Sequence, residues 1–431
     1  MKYYSTQLNS PKTSFREALF SGLAPDGGLY MPDTIPQRSI GSFSESYSYY
    51  ELAVQMIAPF VGNEMNETEL ADICEAAFSF SVPLVKLDEH YHILELFHGP
   101  TLAFKDFAAR FMAKTMEHFM KQKAAKLTIL VATSGDTGSA VANGFYKLDG
   151  INVIILYPSG RVSQLQEKQL TTLGENITAL EVSGTFDDCQ KLVKTAFLDK
   201  ELRSSKNLGS ANSINIARLL PQSVYYVWAW LQAGKPDDLV ISVPSGNFGN
   251  LTGGLIAKKM GLPVSKFIAS VNSNDVFTQY LNSGTFHPKA GQRTISNAMD
   301  VGNPSNLARI NTLYSTDVDS IRKNIDSYSF NDEKTSESIL NTIESYNYLP
   351  DPHTAVGISG LKRFRNTLTK DHTGIVLATA HPGKFADILE PIIAEKVEQP
   401  EALKSCIEKE KQSLLISNSY SEFKNFLMSN N

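Results

Sequence analysis

The stretch DLVISVPSGNFGNLTGGLIAKKM at residues 238–260 decides the fold class. Its first part, DLVISVP, is a continuous apolar run of strand length, and a glycine-containing turn then leads into a helical pattern. LTILVATSGDTGSAVANGFYKL at 127–148 repeats this order, and further apolar runs are INVIILYP (151–158), KFIASVN (266–272) and TGIVLAT (373–379). Apolar strands that alternate with helices are typical of parallel strands buried on both faces. The sequence therefore predicts an α/β fold of mostly parallel twisted sheets flanked by helices.

The regions on either side of this pattern predict further units. Residues 47–80 contain two stretches with helical apolar spacing, and Asn66 or Thr68 can cap the second helix. The first 40 residues, rich in Ser, Pro and Gly, predict turns and short extended pieces. We predict an N-terminal helical subdomain over 1–95, a central core of two lobes over 96–385 with a mobile lobe at about 112–215, and a helical C-terminal segment over 386–431.

The composition argues against several classes of protein. The 431 residues include 40 Lys+Arg and 45 Asp+Glu, a net charge of −5, and no basic run suggests nucleic-acid binding. No apolar stretch reaches the roughly 18 residues of a membrane helix, and the N-terminus lacks the apolar region of a signal peptide. Cys74, Cys189 and Cys406 are far apart, which argues against a disulfide framework and a structural zinc site. We therefore expect a multidomain cytoplasmic enzyme. No further ligand pattern accompanies His90 and His92, so no metal is expected.

Lys105 is the first candidate for chemistry, within HGPTLAFKDFAARFM at 98–112. Apolar residues recur at helical spacing from Phe104 onward, which places Lys105 in the first turn of a helix. The positive end of the helix dipole disfavours an ammonium there, so we expect a lowered pKa and more neutral amine. Schiff-base chemistry needs such an amine. A solvated surface lysine beside Asp106 is the alternative.

Two loops share the pattern S-G-[D/N]-x-G, and each follows a predicted strand and opens a helix. They are SGDTG at 134–138 and SGNFG at 245–249. The backbone N–H groups of such turns bind anions. Asp136 would repel a phosphate dianion, whereas Asn247 can donate a hydrogen bond and Asn250 adds a second amide. The sequence therefore favours 246–250 as a phosphate-binding loop, with a pair of ordinary strand-to-helix turns as the alternative.

Thr379 ends an apolar strand in ATAHPGKF at 378–385. In open α/β sheets, ligands bind beyond the carboxyl ends of the strands, and both glycine loops also occupy such positions. We therefore expect the Thr379 hydroxyl to face a ligand. A hydrogen bond from this hydroxyl to the backbone is the alternative.

Taken together, these strings resemble the threonine synthase family of pyridoxal 5′-phosphate (PLP) enzymes, which have the tryptophan-synthase-β-like fold, fold type II. The strings HGPTLAFKDFAARF, TSGDTGSA, PSGNFGN and ATAHPGKF, with GLAPDGGLYMP (22–32) and NSINIARLLPQSVYY (212–226), occur in family order. The resemblance implies that O-phospho-L-homoserine and water become L-threonine and phosphate, the last step of threonine biosynthesis. A serine/threonine dehydratase, a cysteine synthase or an inactive ligand-binding relative is the alternative.

The resemblance also implies roles for single residues. Lys105 would carry PLP as a Schiff base and act as the base, and Thr379 would contact the pyridine nitrogen. Several relatives have Asn at the position of Asp136, so the group that contacts the PLP hydroxyl stays open. The cofactor phosphate would be held by Gly246, Asn247, Phe248, Gly249 and Asn250, and the substrate by Ser134, Asp136, Thr137 and Arg110.

The phosphate that leaves the substrate needs a cation. The sequence does not choose among the candidates, which are Arg110, Arg161, Arg218 and Lys384. The expected partner is the small-molecule substrate, without nucleic acid or membrane, and both a monomer and a homodimer fit the sequence.

Overall fold

The computed structural model describes residues 1–121, 126–133, 135–367 and 372–429. The strands, in chain order, are β1 (Tyr3–Ser5), β2 (Tyr30–Pro32), β3 (Leu84–Lys86), β4 (Tyr91–Glu95), β5 (Leu127–Ala132), β6 (Ile151–Pro158), β7 (Ile177–Ser183), β8 (Leu208–Ser210), β9 (Leu239–Pro244), β10 (Val264–Val271), β11 (Ile325–Ser329), β12 (Thr373–Ala378) and β13 (Ser413–Ser417).

The α-helices alternate with these strands over most of the chain. In chain order they are α1 (Phe15–Ser21), α2 (Tyr49–Val61), α3 (Glu67–Ala77), α4 (Lys105–Met120), α5 (Asp136–Phe145), α6 (Gln164–Thr171), α7 (Phe186–Leu198), α8 (Lys200–Ser205), α9 (Ile216–Leu219), α10 (Val224–Gln232), α11 (Gly249–Met260), α12 (Val276–Ser283), α13 (Leu307–Leu313), α14 (Val318–Asn324), α15 (Asp332–Tyr346), α16 (Pro352–Arg365), α17 (Ala386–Ile393), α18 (Glu401–Ile407) and α19 (Tyr420–Ser429).

Two main sheets confirm the predicted α/β class. The larger sheet has the order β11-β10-β9-β12-β4-β3, and its pairs are parallel except β3 with β4. The smaller sheet has the order β13-β7-β6-β5-β8 and is parallel throughout. Parallel sheets need cover on both faces, and the apolar runs that became β5, β6 and β9 are buried along nearly their whole length. We call the elements around the larger sheet the larger lobe and those around the smaller sheet the smaller lobe.

Local sequence signals explain the helices of the N-terminal unit. Ser48 caps α2 and Asn66 caps α3, each in a reciprocal capping box with the glutamate three residues later. Asn66, not Thr68, is therefore the capping residue. The first 40 residues form β1 and β2 as short extended pieces, but they also contain α1, which Ser14 caps with Glu17. A helix of seven residues is too short to show clear periodicity, so the prediction missed it.

The structure differs from the predicted division of the chain in two places. β3 and β4 lie within the predicted N-terminal subdomain of 1–95, but they form the edge of the larger sheet. The segment 386–431 is not wholly helical, because β13 pairs with β7 and extends the smaller sheet. Phe423 and Leu427 of α19 are buried in the apolar cluster beside that sheet. The C-terminal segment thus belongs partly to the smaller lobe.

None of the helices in the described ranges has the length and apolar character needed to span a bilayer.

Candidate active site

A cleft of about 2240 Å³ lies at the carboxyl ends of strands from both sheets. It receives the turns that follow β5, β9 and β12, as the rule for parallel sheets predicts. The residues that line it include Lys105, Asp136, Thr137, Arg161, Arg218, the loop 244–250, Thr379 and Lys384. Most of the sequence-predicted candidates therefore lie together in a single cavity.

Lys105 is the first residue of α4, as predicted. The preceding segment is fixed against the end of β12, since the Phe104 N–H donates to the Thr379 carbonyl at 2.9 Å. Asp106 holds the turn from inside by accepting from the Thr101 N–H at 2.9 Å and from its hydroxyl at 2.6 Å. A Cβ at Gly99 would lie 2.5 Å from the Asp106 carboxylate, so this packing requires glycine there. These contacts aim the Lys105 side chain into the cleft.

Asp136 lies between two lysines. Its Oδ1 is 2.7 Å from Lys384 Nζ, and its Oδ2 is 3.7 Å from Lys105 Nζ. Burial alone would raise the pKa of the Asp136 carboxyl, but Lys384 and Lys105 outweigh it and hold that pKa well below its usual range. Gln166 Nε2 also donates to Oδ1 at 3.1 Å. Asp136 is thus a carboxylate, and Lys384 is its closer cationic partner.

The amine of Lys105 has a lowered pKa. Burial lowers the pKa of Lys105, and although Asp136 opposes this, Lys384 and Arg218 lower that pKa further. Since Lys384 also donates to the Thr101 carbonyl at 2.8 Å, it is held more firmly than Lys105. The single carboxylate thus lies nearer to Lys384 than to Lys105. The lowered pKa of Lys105 agrees with the one expected from the sequence.

The loop 246–250 presents backbone N–H groups to the cleft at the start of α11. In the described part of the chain, the N–H groups of these residues have no hydrogen-bond acceptor. Phe248 adopts a left-handed conformation with φ 57°, and its ring packs on Phe277 at 4.5 Å between centroids. At Gly246, an added Cβ would lie 2.6 Å from the Met299 Cα, so the loop can follow this path only with glycine there. Such a turn is an anion-binding site.

The side chains of Asn247 and Asn250 hold this loop in shape. Asn250 donates to the Pro244 carbonyl at 2.9 Å and accepts from the Ser245 hydroxyl at 2.5 Å. Asn247 donates to the Ser213 hydroxyl at 2.7 Å and accepts from the Ser305 N–H at 2.6 Å. Both amides are thus already engaged. The free donors of the loop are its backbone N–H groups.

Thr379 follows the last residue of β12 and is 6% exposed. Its carbonyl accepts from Phe104, whereas its hydroxyl has no hydrogen-bond partner in the described chain. No backbone partner for this hydroxyl is found among the described residues, and its contact with a ligand stays a prediction. The hydroxyl is available to a ligand in the cleft.

The remaining candidates differ in position. Thr137 lies in the first turn of α5 and lines the cleft, and Ser134 lies outside the described residues. Arg110 does not reach the cleft, contrary to the prediction. It lies five residues after Lys105, which on a helix is a rotation of about 140°. Its guanidinium binds the carbonyls of Ala76 and Ala77 at the end of α3.

Three of the four candidate cations for the substrate phosphate line the cleft. Arg161 is exposed at the edge of the cleft, while Arg218 and Lys384 are buried within it. Arg218 donates to the Ala211 carbonyl at 2.6 Å, but its buried Nε has no partner among the described residues. Burial lowers the pKa of Arg218 to about 10. Arg218 therefore has an unused donor and remains a cation at neutral pH.

Sequence reasoning missed Gln166, Asn212 and His353, which also line the cleft. Asn212 Oδ1 is buried without a partner in the described chain. His353 bonds Asp351 through Nδ1 at 2.6 Å and accepts from the Ala298 N–H through Nε2 at 3.1 Å. None of these residues stands in a motif that predicts chemistry, although Asn212 begins the string NSINIAR.

Among the described residues, no group of three or more His, Cys, Asp or Glu side chains could hold a metal ion.

Three family models match consecutive parts of the chain. "Threonine synthase N terminus" matches residues 2–78, "Pyridoxal-phosphate dependent enzyme" matches 82–379, and "Threonine synthase, C-terminal" matches 354–427. A threonine synthase from Haemophilus influenzae is 44% identical over 405 residues, which is 94% of this chain and 94% of that protein. The chain belongs to the threonine synthase family. It is a PLP-dependent lyase of fold type II.

Solved structures of the threonine synthase family share the whole architecture. The crystal structure of threonine synthase from Escherichia coli has a TM-score of 0.92 at 40% identity and covers 100% of both chains. A PLP-bound threonine synthase from Brucella melitensis has a TM-score of 0.94 at 34% identity and covers 100% of this chain and 99% of its own.

The cleft suits the cofactor of the threonine synthase family. PLP presents a phosphate dianion, a reactive carbonyl carbon and a pyridine nitrogen. The cleft offers, in the same order, the N–H groups of 246–250, the amine of Lys105 and the hydroxyl of Thr379; the N–H groups and the hydroxyl have no hydrogen-bond partner among the described residues. Each group has a chemical counterpart, so the residues present fit PLP.

Proposed function

We propose that this protein converts O-phospho-L-homoserine and water to L-threonine and phosphate in the cleft described above. The observation that carries the proposal is the amine of Lys105, which shares one carboxylate with Lys384 and faces a loop of unpaired N–H groups. The described residues of one chain provide all of these groups, so a single chain is sufficient for the site. Bound PLP supplies the electron sink that stabilises negative charge on the carbons of the substrate.

Lys105 has two tasks in this proposal. Its Nζ would hold the cofactor covalently before substrate binds. Once the substrate amine has taken its place, Nζ would be a neutral base that removes one proton from Cα and one from Cβ. The two protons return to carbon, one to Cγ, which becomes the methyl group of the product, and one to Cα. The lowered pKa of Lys105 supports this role, because an ammonium cannot accept a proton.

Asp136 and Lys384 set the charge around this amine. The Asp136 carboxylate stays ionised and pairs with Lys384, so the ammonium form of Lys105 has less to stabilise it. Ser134, Asp136 and Thr137 remain our proposed substrate-side residues, and Asp136 and Thr137 lie in the first turn of α5. The cofactor phosphate lies, in this proposal, at 246–250.

We assign the substrate phosphate to Arg218 and Lys384, with Arg161 at the entrance. Arg218 supports this assignment with its unpaired Nε, and guanidinium groups bind phosphate oxygens well. Once the C–O bond to the γ-phosphate breaks, these cations stabilise the phosphate that leaves. Water then adds at Cβ, and the closed cleft restricts which water reaches it.

The decisive test of the reaction is a product assay. Purified protein with PLP should release phosphate and threonine in equal amounts from O-phospho-L-homoserine. Release of a keto acid from serine or threonine, without turnover of the phosphorylated substrate, would indicate a dehydratase and contradict the proposal. No turnover of any of these would indicate an inactive ligand-binding relative.

Thr379→Val should weaken PLP binding up to about tenfold, because one neutral hydrogen bond contributes roughly 0.5–1.5 kcal/mol. A hydroxyl does not stabilise a protonated pyridine as a carboxylate would, so the ring nitrogen is expected to be mostly neutral. PLP dissociation constants measured by titration of the apoenzyme test this effect. Thr379→Ser keeps the hydroxyl and is the matched control. Equal PLP affinities of Thr379→Val, Thr379→Ser and the wild type would show that the Thr379 hydroxyl does not bind the cofactor.

The smaller lobe is our candidate for a closing movement. Its sheet is separate from the larger sheet, and the cleft lies at the ends of both. We expect residues of about 112–215, together with β13, to move on binding substrate. A phosphonate analogue of the substrate should then slow amide exchange along the turn 133–138 and α6. Exchange in β9, in the larger sheet, should not change and is the internal reference. Equal exchange in the smaller lobe with and without the analogue would contradict closure.

We also propose that the protein works in a reducing cytoplasm. Cys74 and Cys189 are buried, and all three cysteines are free thiols.

A further inference from the structure

Arg309 is a buried cation with no acidic partner in the described chain. It is 0% exposed, and burial lowers its pKa to about 9 with no neighbouring carboxylate to oppose the shift. A buried charge without compensation is costly. The proposed function assigns Arg309 no contact with the cofactor or the substrate. The cost indicates that the guanidinium does something that a neutral side chain of similar size does not.

The guanidinium of Arg309 joins three distant parts of the chain. It donates to the Tyr30 carbonyl at 3.1 Å, to the Ile214 carbonyl at 2.7 Å and to Asn306 Oδ1 at 2.8 Å. Tyr30 lies in GLAPDGGLYMP and Ile214 lies in NSINIAR. Both strings stood out in the sequence, and Arg218 is the one residue in them to which the proposed chemistry gives a role.

Two of these contacts continue directly to the loop 246–250. Asn306 Nδ2 donates to the Asn247 carbonyl at 3.0 Å, and Asn247 Nδ2 donates to the hydroxyl of Ser213 at 2.7 Å. Ser213 precedes Ile214 in the chain. The hydrogen bonds therefore form a closed ring that runs from Arg309 through Asn306, Asn247 and the 213–214 segment back to Arg309. Asn306 is also 0% exposed, so its hydrogen bond to Arg309 is shielded from water.

We propose that Arg309 is a positioning residue that shapes the loop 246–250 for the phosphate of the cofactor. Its planar guanidinium binds both segments that hold Asn247. Asn306 binds the backbone carbonyl of Asn247, and the 213–214 segment binds its side chain. A lysine cannot reach three acceptors in this geometry. The positive charge behind the loop also compensates the phosphate dianion that the loop receives. This inference rests on the proposed placement of that phosphate.

The test compares PLP with pyridoxal, which lacks the phosphate, in binding to the apoenzyme. Arg309→Met should weaken PLP binding at least about tenfold but pyridoxal binding by less than about threefold, since only the phosphate depends on the loop. Arg309→Lys, which keeps the charge but not the planar guanidinium, should fall between Met and wild type. Arg322→Lys is the control, because Arg322 bridges the carbonyls of Leu281 and Asn282 and makes no hydrogen bond to the loop among the described residues. It should bind both ligands as wild type does.

Equal losses for PLP and pyridoxal would show that Arg309 supports the fold in general, and unchanged PLP affinity would show no role; either result overturns the inference. Asn306→Ala breaks the same ring without removing a charge, and it serves if Arg309→Met does not fold. Asn247→Asp tests the phosphate placement itself. If Asn247→Asp loses the preference for PLP over pyridoxal and the Arg309 variants keep it, Arg309 does not position the loop. If Asn247→Asp also keeps that preference, the phosphate lies elsewhere.

Amide exchange of the wild-type apoenzyme gives a second test that needs no variant. PLP should slow exchange in peptides that cover 28–34, 210–216 and 303–312, because the ring connects all three to the loop. With pyridoxal, the exchange rates of these peptides should stay close to those of the apoenzyme. The same pattern with both ligands, or no change with PLP, would overturn the inference.

Discussion

Lys105→Ala is expected to abolish turnover of O-phospho-L-homoserine, with a loss of at least about 10³-fold. The variant removes both the covalent attachment of the cofactor and the proposed base. It should remain folded, since the side chain leaves no apolar cavity and Asp136 keeps its closer partner Lys384 at 2.7 Å. The absorbance of bound PLP should shift, because no lysine carries it. Steady-state kinetics and the visible spectrum measure these effects.

The assignment to Lys105 can be located on the chain. Borohydride reduction of the wild-type protein, followed by digestion, should leave the cofactor on the peptide that contains Lys105. Lys114→Ala is the matched control, since Lys114 lies on the same helix and pairs at the surface with Glu117. It should keep both spectrum and rate. Label on any other lysine, or an active Lys105→Ala enzyme, would disprove the assignment.

Asn247→Asp is expected to weaken PLP binding by about ten- to a hundredfold. The change places a carboxylate beside backbone N–H groups that we propose for the phosphate, so the two anions compete for the same donors. It also removes the donor that Ser213 accepts at 2.7 Å. A hydrogen bond to a charged group contributes roughly 1.5–3 kcal/mol, which corresponds to this range of affinity. Asn247→Ala lacks the added charge and should lose less.

The other glycine loop provides the reciprocal comparison. Asp136→Asn should change PLP affinity much less and should act mainly on turnover, because this carboxylate pairs with Lys384 and Lys105. Dissociation constants of PLP for Asn247→Asp, Asn247→Ala and Asp136→Asn measure the difference. A larger loss for Asp136→Asn than for Asn247→Asp would mean that the two loops have the opposite roles.

The strands that could be predicted from the sequence are those that are buried on both faces of a sheet. β5, β6 and β9 are covered on both faces, so their sequences are continuous apolar runs that only a parallel sheet explains. β13 gave no such signal. Its residues Leu414 and Leu415 are exposed, and it is a strand only because β7 offers an edge to pair with. Such an edge is a tertiary property that the local sequence does not contain.

The same distinction applies to the candidate site. Lys105 and Thr379 could be found because a helix start or a strand end fixes where the side chain points. The prediction that Arg110 binds the substrate was wrong. The face of α4 on which Arg110 lies decides its partners, and its closeness to Lys105 in sequence does not. Gln166 and Arg309 could not be found, since each acts through residues that are far away in the chain.

The position of β13 has a consequence for how the protein is made. The edge of β7 stays unpaired during synthesis until the ribosome has reached Ser413, because β13 is the strand that covers it. The larger sheet receives its last strand, β12, earlier in the chain. We therefore expect the two lobes to mature in order, the larger one first. Nascent chains stalled before Ser413 should show protease cleavage in the smaller lobe while the larger lobe is already protected.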